Sequence, residues 1–162
     1  MSSSANGAST FSSELLTTFY IGQSYYGIEV LKVQEVTGNP TIVPVPLAPD
    51  FIRGLINLRG QLATALGLRA LFGEAAAAKD LEEMSVVCRA EGNLVSLIVD
   101  EIGDVLEVEG KNFEATPESL PVGIKRFVKG VYKLDGKLLS VLDLERITKE
   151  LLTTSEKLEV QN

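Results

Sequence analysis

The segment GLINLRGQLATALGL, Gly54 to Leu68, returns later in the chain as GVYKLDGKLLSVLDL, Gly130 to Leu144. Setting Gly54 on Gly130 also sets Gly60 on Gly136, Leu62 on Leu138, Leu66 on Leu142 and Leu68 on Leu144, at a constant offset of 76. Upstream, Ile28 falls on Leu97, Val30 on Val99, Val33 on Ile102, Glu35 on Asp104 and Val36 on Val105, at a constant offset of 69. The seven extra residues fit the longer connection around EATPESLPV. Chance could match either block alone, but both in one order indicate an internal repeat. The chain reads as two β-units of about 70 residues, each a small curled sheet turning alternate apolar residues inward. A sheet of that size has a marginal core by itself, so the two units are expected to bury a core between them.

The remaining elements flank the repeated segments. LLTTFYIGQSYYGIEV, from Leu15, is two apolar runs about the polar turn Gly22-Gln23-Ser24, a hairpin signature. MSVVCRAEGNLVSLIVDEIGDVLEV is a second hairpin about Glu91-Gly92-Asn93. Prolines at 40, 44, 46 and 49 place TIVPVP at a sheet edge or outside a sheet, because proline cannot donate to a ladder. EAAAAKDLEE, short and uncapped, reads as a linker. A short C-terminal helix is expected at the end of LDLERITKELL. Residues 1–13 read as a disordered tail and 153–162 as a flexible one. The matched glycines Gly54, Gly60, Gly130 and Gly136 stand at the ends of strongly curved strands, where bulges and positive φ are needed. They are structural rather than ligand-binding. Asp135-Gly136 is a type I′ hairpin dipeptide.

Composition removes whole classes of function. The 162 residues contain no histidine and one cysteine, so the commonest general base, the commonest metal ligand and an internal disulfide are all missing. Cys88, inside the apolar run MSVVCRA, reads as a buried small hydrophobe and not a nucleophile. No phosphate-binding, dinucleotide-binding or nucleophile-elbow motif occurs. Asp100, Glu101, Asp104, Glu107 and Glu109 lack calcium-loop spacing and read as outward positions of a strand. No catalytic residue, metal or cofactor is expected. The net charge of −7 disfavours nucleic acid, and the small basic group Lys125, Arg126 and Lys129 reads as a solvated loop. No 18-residue apolar run and no signal-peptide pattern appear, so a cytoplasmic protein without membrane insertion is expected.

Two arginines interrupt the apolar run FIRGLINLRGQL, Phe51 to Leu62. By alternation Leu55, Asn57 and Arg59 share one face, while Ile56 and Leu58 take the core. Arg59 therefore emerges outside, at a strand end on rigid backbone. The second copy has Asp135 at this place, so the fold accepts either charge there. Surface arginine on a rigid scaffold is also a favoured protein-binding anchor.

YYGIEVLKVQEV, PDFIRGLINLRGQL and FVKGVYKLDGKLLSVLDLERI resemble the bacterial CheW family of chemotaxis coupling proteins, over about Leu15 to Leu151. The same domain occurs in the histidine kinase CheA and in CheV, but neither a kinase core nor a receiver domain fits in 162 residues. The resemblance implies a mainly β fold of two SH3-like five-stranded β-barrel subdomains sharing a core, with a short C-terminal helix. One such domain would cover 14–152, its first barrel about 25–80 and its second about 81–140. It implies a non-catalytic adaptor joining the cytoplasmic helical hairpin of methyl-accepting chemoreceptors to the regulatory domain of CheA, recruited to membrane-associated arrays. Other CheW-like domains in those arrays are further expected partners. Val33, Glu35, Arg53, Arg59, Ile102 and Val105 match receptor-facing positions. Ile42, Val43 and Val45, on the exposed proline-rich edge, are assigned to the kinase side. A non-flagellar pathway, such as pilus motility or cyclase signalling, is the alternative within the class; a small-ligand β-barrel is the alternative outside it. The sequence departs from the family pattern at Thr64 and Gly67, where proline and aspartate are usual, and at Ser96, where glycine is usual. Asp143 keeps the pattern in the second copy.

Overall fold

The computed structural model describes residues 12–75 and 81–161. Most of the expected N-terminal tail and residues 76–80 of the expected linker lie outside the described residues. The strands are β1 (Ser13–Ile21), β2 (Ser24–Glu29), β3 (Val33–Gly38), β4 (Ile52–Leu58), β5 (Gln61–Gly67), β6 (Met84–Ala90), β7 (Asn93–Val99), β8 (Glu101–Glu109), β9 (Phe113–Glu114), β10 (Val128–Leu134) and β11 (Lys137–Leu142). The helices are α1 (Leu68–Leu71), α2 (Val122–Lys125) and α3 (Leu144–Gln161). A six-stranded sheet runs β8-β1-β2-β11-β10-β9 and a five-stranded sheet runs β3-β6-β7-β5-β4. The fold is mainly β, as expected, but neither hydrogen-bonded ladder closes into a barrel.

The repeat read from the sequence is the repeat of the fold. An offset of 69 carries β1, β2 and β3 onto β6, β7 and β8, and 76 carries β4 and β5 onto β10 and β11. With β9 set aside, the two strand orders become identical. Even registers agree: the parallel pair Thr64↔Val95 and Ala65↔Ser96 has its counterpart in Ser140↔Tyr26 and Val141↔Gly27. Register breaks recur too, between Ile52 and Gly54 and between Val128 and Gly130.

Each sheet nevertheless draws on both repeats. β1 and β2 share a sheet with β8, β10 and β11, while β6 and β7 share one with β3, β4 and β5. The division into 25–80 and 81–140 is therefore corrected: residues 84–99 belong with the first unit's later strands, and residues 13–29 with the second's. Local hairpin signals identify β1–β2 and β6–β7 but carry no information on which distant strand each hairpin meets. That choice is made by long-range parallel pairing, β2 with β11 and β7 with β5.

The exchange creates one core belonging to both sheets. Phe19 and Ile28 from one sheet, Val86 and Leu97 from the other, and Leu144, Ile147 and Leu151 from α3 pack in a single buried cluster. On the opposite faces each sheet keeps its own small core, Leu16, Tyr25, Tyr132 and Leu139 in one and Ile56, Ala65 and Ile98 in the other. β7 is buried along nearly its whole length, which is why its sequence NLVSLIV lacks polar alternation.

The departures from the family pattern have local compensations. A Cβ on Gly67 would meet the Arg53 stem at 3.2 and 3.3 Å, so glycine here makes room for that side chain. Buried Ser96 shares a hydrogen bond with buried Ser85 across β6–β7. Thr64 is half-buried, opposite Leu55 and beside Val95. Gly67 also stands where the second copy has Asp143. There the Asp143 carboxylate accepts the Arg146 N–H at 3.1 Å, an N-cap for α3, whereas four-residue α1 has no side-chain cap. With its cap and no glycine or proline to stop it, α3 runs 18 residues to Gln161. It is thus longer than expected and helical through 153–161, where a flexible tail was expected.

The glycines serve two different needs. A Cβ on Gly54 would lie 2.1 Å from the Val43 carbonyl oxygen, and one on Gly130 would lie 2.0 Å from the Phe113 ring. A Cβ on Gly60 would meet nothing within 4 Å, so that site is constrained only by its φ of 87°. Gly54→Ala is therefore expected to cost on the order of 3 kcal/mol. Gly60→Ala should cost only about 1 kcal/mol. Urea unfolding of the two variants checks this; equal losses would contradict the close-approach explanation.

Candidate docking surface

β3 and β4 are the two edges of the five-stranded sheet, and its curl brings them toward each other. The gap is bridged by side chains instead of backbone. Arg59, in the β4–β5 turn, forms an ion pair with Glu35 of β3 at 3.8 Å. Arg89 of β6 donates from Nη2 to the side-chain oxygens of Gln34 and Gln61, 3.2 Å each.

The backbone at Arg59 is unusual for its residue type. Arg59 and Gly60 have φ of 54° and 87°, the two positive values of a type I′ turn. The Asn57 side-chain oxygen accepts the Gly60 N–H at 3.0 Å and steadies this turn. Left-handed φ costs a residue with a Cβ roughly 1–2 kcal/mol. The expected type I′ turn at Asp135-Gly136 is not found: only Gly136 has positive φ, at 76°. The two copies therefore turn the chain differently at this corner. The Arg59 side chain is 88% exposed, so its pair with Glu35 contributes little to stability. Ile56 is buried and Asn57 exposed, as alternation requires.

The other expected receptor-facing residues lie as follows. Val33 and Ile102 occupy equivalent places on the edge strands β3 and β8, and both pack, half-buried, against the shared core. Val105 is 58% exposed. Arg53 is not brought to Arg59. They stand at opposite ends of β4, separated by about 20 Å of extended chain. Arg53 instead donates to both Glu83 carboxylate oxygens, at 2.7 and 3.0 Å, and this pairing holds its guanidinium pKa above the ordinary value. On the proline-rich edge, Val43 exchanges two backbone hydrogen bonds of 2.8 Å with Leu55, so the segment does lie along a sheet edge. Val43 and Val45 are exposed, while Ile42 is half-buried against Ile56 and Ala65.

Sequence reading missed Glu83, Arg89 and the bridging glutamines. Arg89 carried a signal, as the only charge inside MSVVCRA. Glu83 carried none, because its partner is 30 residues away. The basic group is paired throughout: Lys125 with Glu118, Arg126 with Glu150 and Lys129 with Glu29. Asp100, from the acidic strand, is bound by Arg69. Among the described residues no helix is long and apolar enough to cross a membrane.

Arg59 thus stands exposed on a rigid turn, with Val33 and Ile102 on two sheet edges. The chain belongs to the family of the CheW-like domain, whose model matches residues 15–151. The chemotaxis protein CheW of Klebsiella aerogenes is 30% identical over 129 residues, 80% of this chain and 78% of that protein. The chemotaxis protein CheW of Rhizobium meliloti is 26% identical, over 82% of this chain and 85% of that one. The crystal structure of the scaffolding protein TtCheW from Thermoanaerobacter tengcongensis superposes with a TM-score of 0.74 at 27% identity, covering 82% of this chain and 90% of that chain. As in that family, this chain is non-catalytic.

Cys88 is fully buried, and burial pushes its thiol up to about 12. The native protein is expected to leave a thiol reagent unreacted at mildly alkaline pH and to consume one equivalent once unfolded in urea. Full labelling of the native state would contradict this placement.

Proposed function

We propose that this chain is an adaptor of bacterial chemotaxis that couples methyl-accepting chemoreceptors to the histidine kinase CheA. The reading rests on family membership, and at the site on one observation: Arg59 projects from a strained turn, 88% exposed, beside Glu35 of the opposite sheet edge. A conformation that costs free energy and returns little stability is expected where a side chain must be presented to a partner.

In this reading the receptor's helical hairpin lays an apolar stripe against Val33, Ile102 and Val105, a helix-in-groove mode. Arg59 and Glu35 set register through polar pairs around that contact, while Arg53, tied to Glu83 at the other end of β4, is a separate contact. The kinase's regulatory domain docks on the proline-rich edge, at Ile42, Val43 and Val45. Signal passes by contact, in the cytoplasm, at membrane-associated arrays that also hold other CheW-like domains.

Arg59→Ala is expected to weaken receptor pull-down by about 2 kcal/mol. Its melting temperature should hardly move, because alanine keeps the Cβ that the positive φ penalises. Arg59→Asn should lose the same affinity with equal or slightly higher stability, since asparagine tolerates this conformation. Wild-type receptor affinity in both variants would defeat the assignment. Glu35→Lys sets a second cation against Arg59 and should lower kinase activation in a reconstituted receptor array; normal activation would count against the role given to Glu35.

A further inference from the structure

A pocket of about 350 Å³ opens on the six-stranded sheet, between the β1–β2 turn, the segment entering α2 and the β10–β11 hairpin. Tyr20 and Tyr25, which help line it, stack with ring centres 4.7 Å apart. The Lys137 ammonium lies 5.1 and 4.8 Å from those ring centres and donates to the Tyr20 hydroxyl at 2.6 Å. Leu120, Pro121 and Leu138 supply apolar lining, and Ser24 adds a hydroxyl.

Lys137 is exposed and, among the described residues, lacks a carboxylate partner. Lys32, Lys111, Lys125, Lys129 and Lys133 each pair with a carboxylate. Among the described residues Lys137 makes no ion pair; its direct partners are a neutral hydroxyl and two ring faces. Asp104 is close enough to be felt but is not bonded to it. The repeat shows that the fold accepts the cation on either side of this contact. By the same offsets, Gln61 stands where Lys137 does and Arg89 where Tyr20 does, and those two make the matching contact at 3.2 Å. There the cation is satisfied by two glutamine oxygens, and Leu94 replaces Tyr25. The tyrosine stack under a lysine held by neutral groups belongs to one half only.

We propose that this pocket is a binding site for a small monocarboxylate with an aryl or branched-alkyl body, its carboxylate on Lys137 and the Tyr20 hydroxyl. A single ammonium matches a single negative charge. The volume lies at the small end for ligand pockets. The chain's net charge of −7 further disfavours a polyanion. The apolar body packs on Leu120, Pro121 and Leu138. The inference rests on the pocket alone and stands whether or not the chain couples receptors to a kinase.

Titration of the isotopically labelled full chain with benzoate, followed by amide resonances, tests it. Benzoate should shift Ser24, Gly136, Lys137 and Leu138, and uncharged benzamide should bind about tenfold more weakly. Lys137→Met should abolish that preference at unchanged melting temperature, and Lys137→Arg should keep it. Tyr20→Phe, which removes only the hydroxyl, should weaken benzoate several-fold. The proposal is overturned by absence of saturable shifts, by shifts centred elsewhere, or by equal affinity for benzoate and benzamide. Inorganic phosphate binding as tightly as benzoate, or wild-type benzoate affinity in Lys137→Met or in Tyr20→Phe, overturns it equally.

Discussion

The structure depends on apolar burial that neither repeat can complete alone. Two strands of each repeat complete the sheet built mainly by the other, so the cluster around Phe19, Ile28, Val86 and Leu97 is common property. Burial of apolar area is the dominant favourable term in folding, and a unit of about 70 residues has little of it to itself. The chain crosses between the sheets at two places, and ion pairs pin both. After β2, Lys32 reaches both carboxylate oxygens of Glu145 on α3, at 2.6 and 2.8 Å. Between β7 and β8, Asp100 is gripped by Arg69 and also accepts the Gly22 N–H at 2.6 Å. These pairs are partly exposed and small beside the shared core, but they sit where the exchange takes place.

The same curvature that makes the core leaves a seam. Backbone bonds hold the five-stranded sheet from β3 to β4 and add one bridge from Val43 to Leu55, and at the turn end of β4 the side chains Glu35, Arg59, Arg89, Gln34 and Gln61 span the remainder. Side chains at a seam contribute little to stability and are therefore free to change. Arg59 lies at the extreme of that freedom, exposed and held at positive φ. Exposed charge at the seam and maintenance of the fold thereby fall to different residues.

Comparison of equivalent positions shows where the halves have diverged. Interior positions keep their character: Leu66 and Leu142 are both buried, as are Ile28 and Leu97. Corners and rims do not. Arg59 answers to Asp135, Gln61 to Lys137, Gly67 to Asp143, and Arg89 to Tyr20. The first difference changes a turn, the second and fourth exchange a glutamine–arginine bridge for a lysine over stacked tyrosines, and the third caps a long helix in one half only. One frame thus carries two unlike surfaces.

Much of this was legible in the sequence, because it rests on short-range regularities. Alternation placed Ile56 inside and Asn57 outside; glycine-bearing turns marked the hairpins; two constant offsets revealed the repeat. The left-handed turn at Arg59 was not legible, since arginine gives no signal for it and Asp135-Gly136, the better dipeptide, does not adopt it. Nor were the pairing of Arg53 with Glu83, the closing of the seam by Arg89, or the crossing of strands between repeats. Pattern along the chain reports which face of an element is apolar, but not which distant element will cover that face. Only the packed structure makes that choice, by the long-range arrangement that buries the most apolar surface while pairing the polar groups left at its edges.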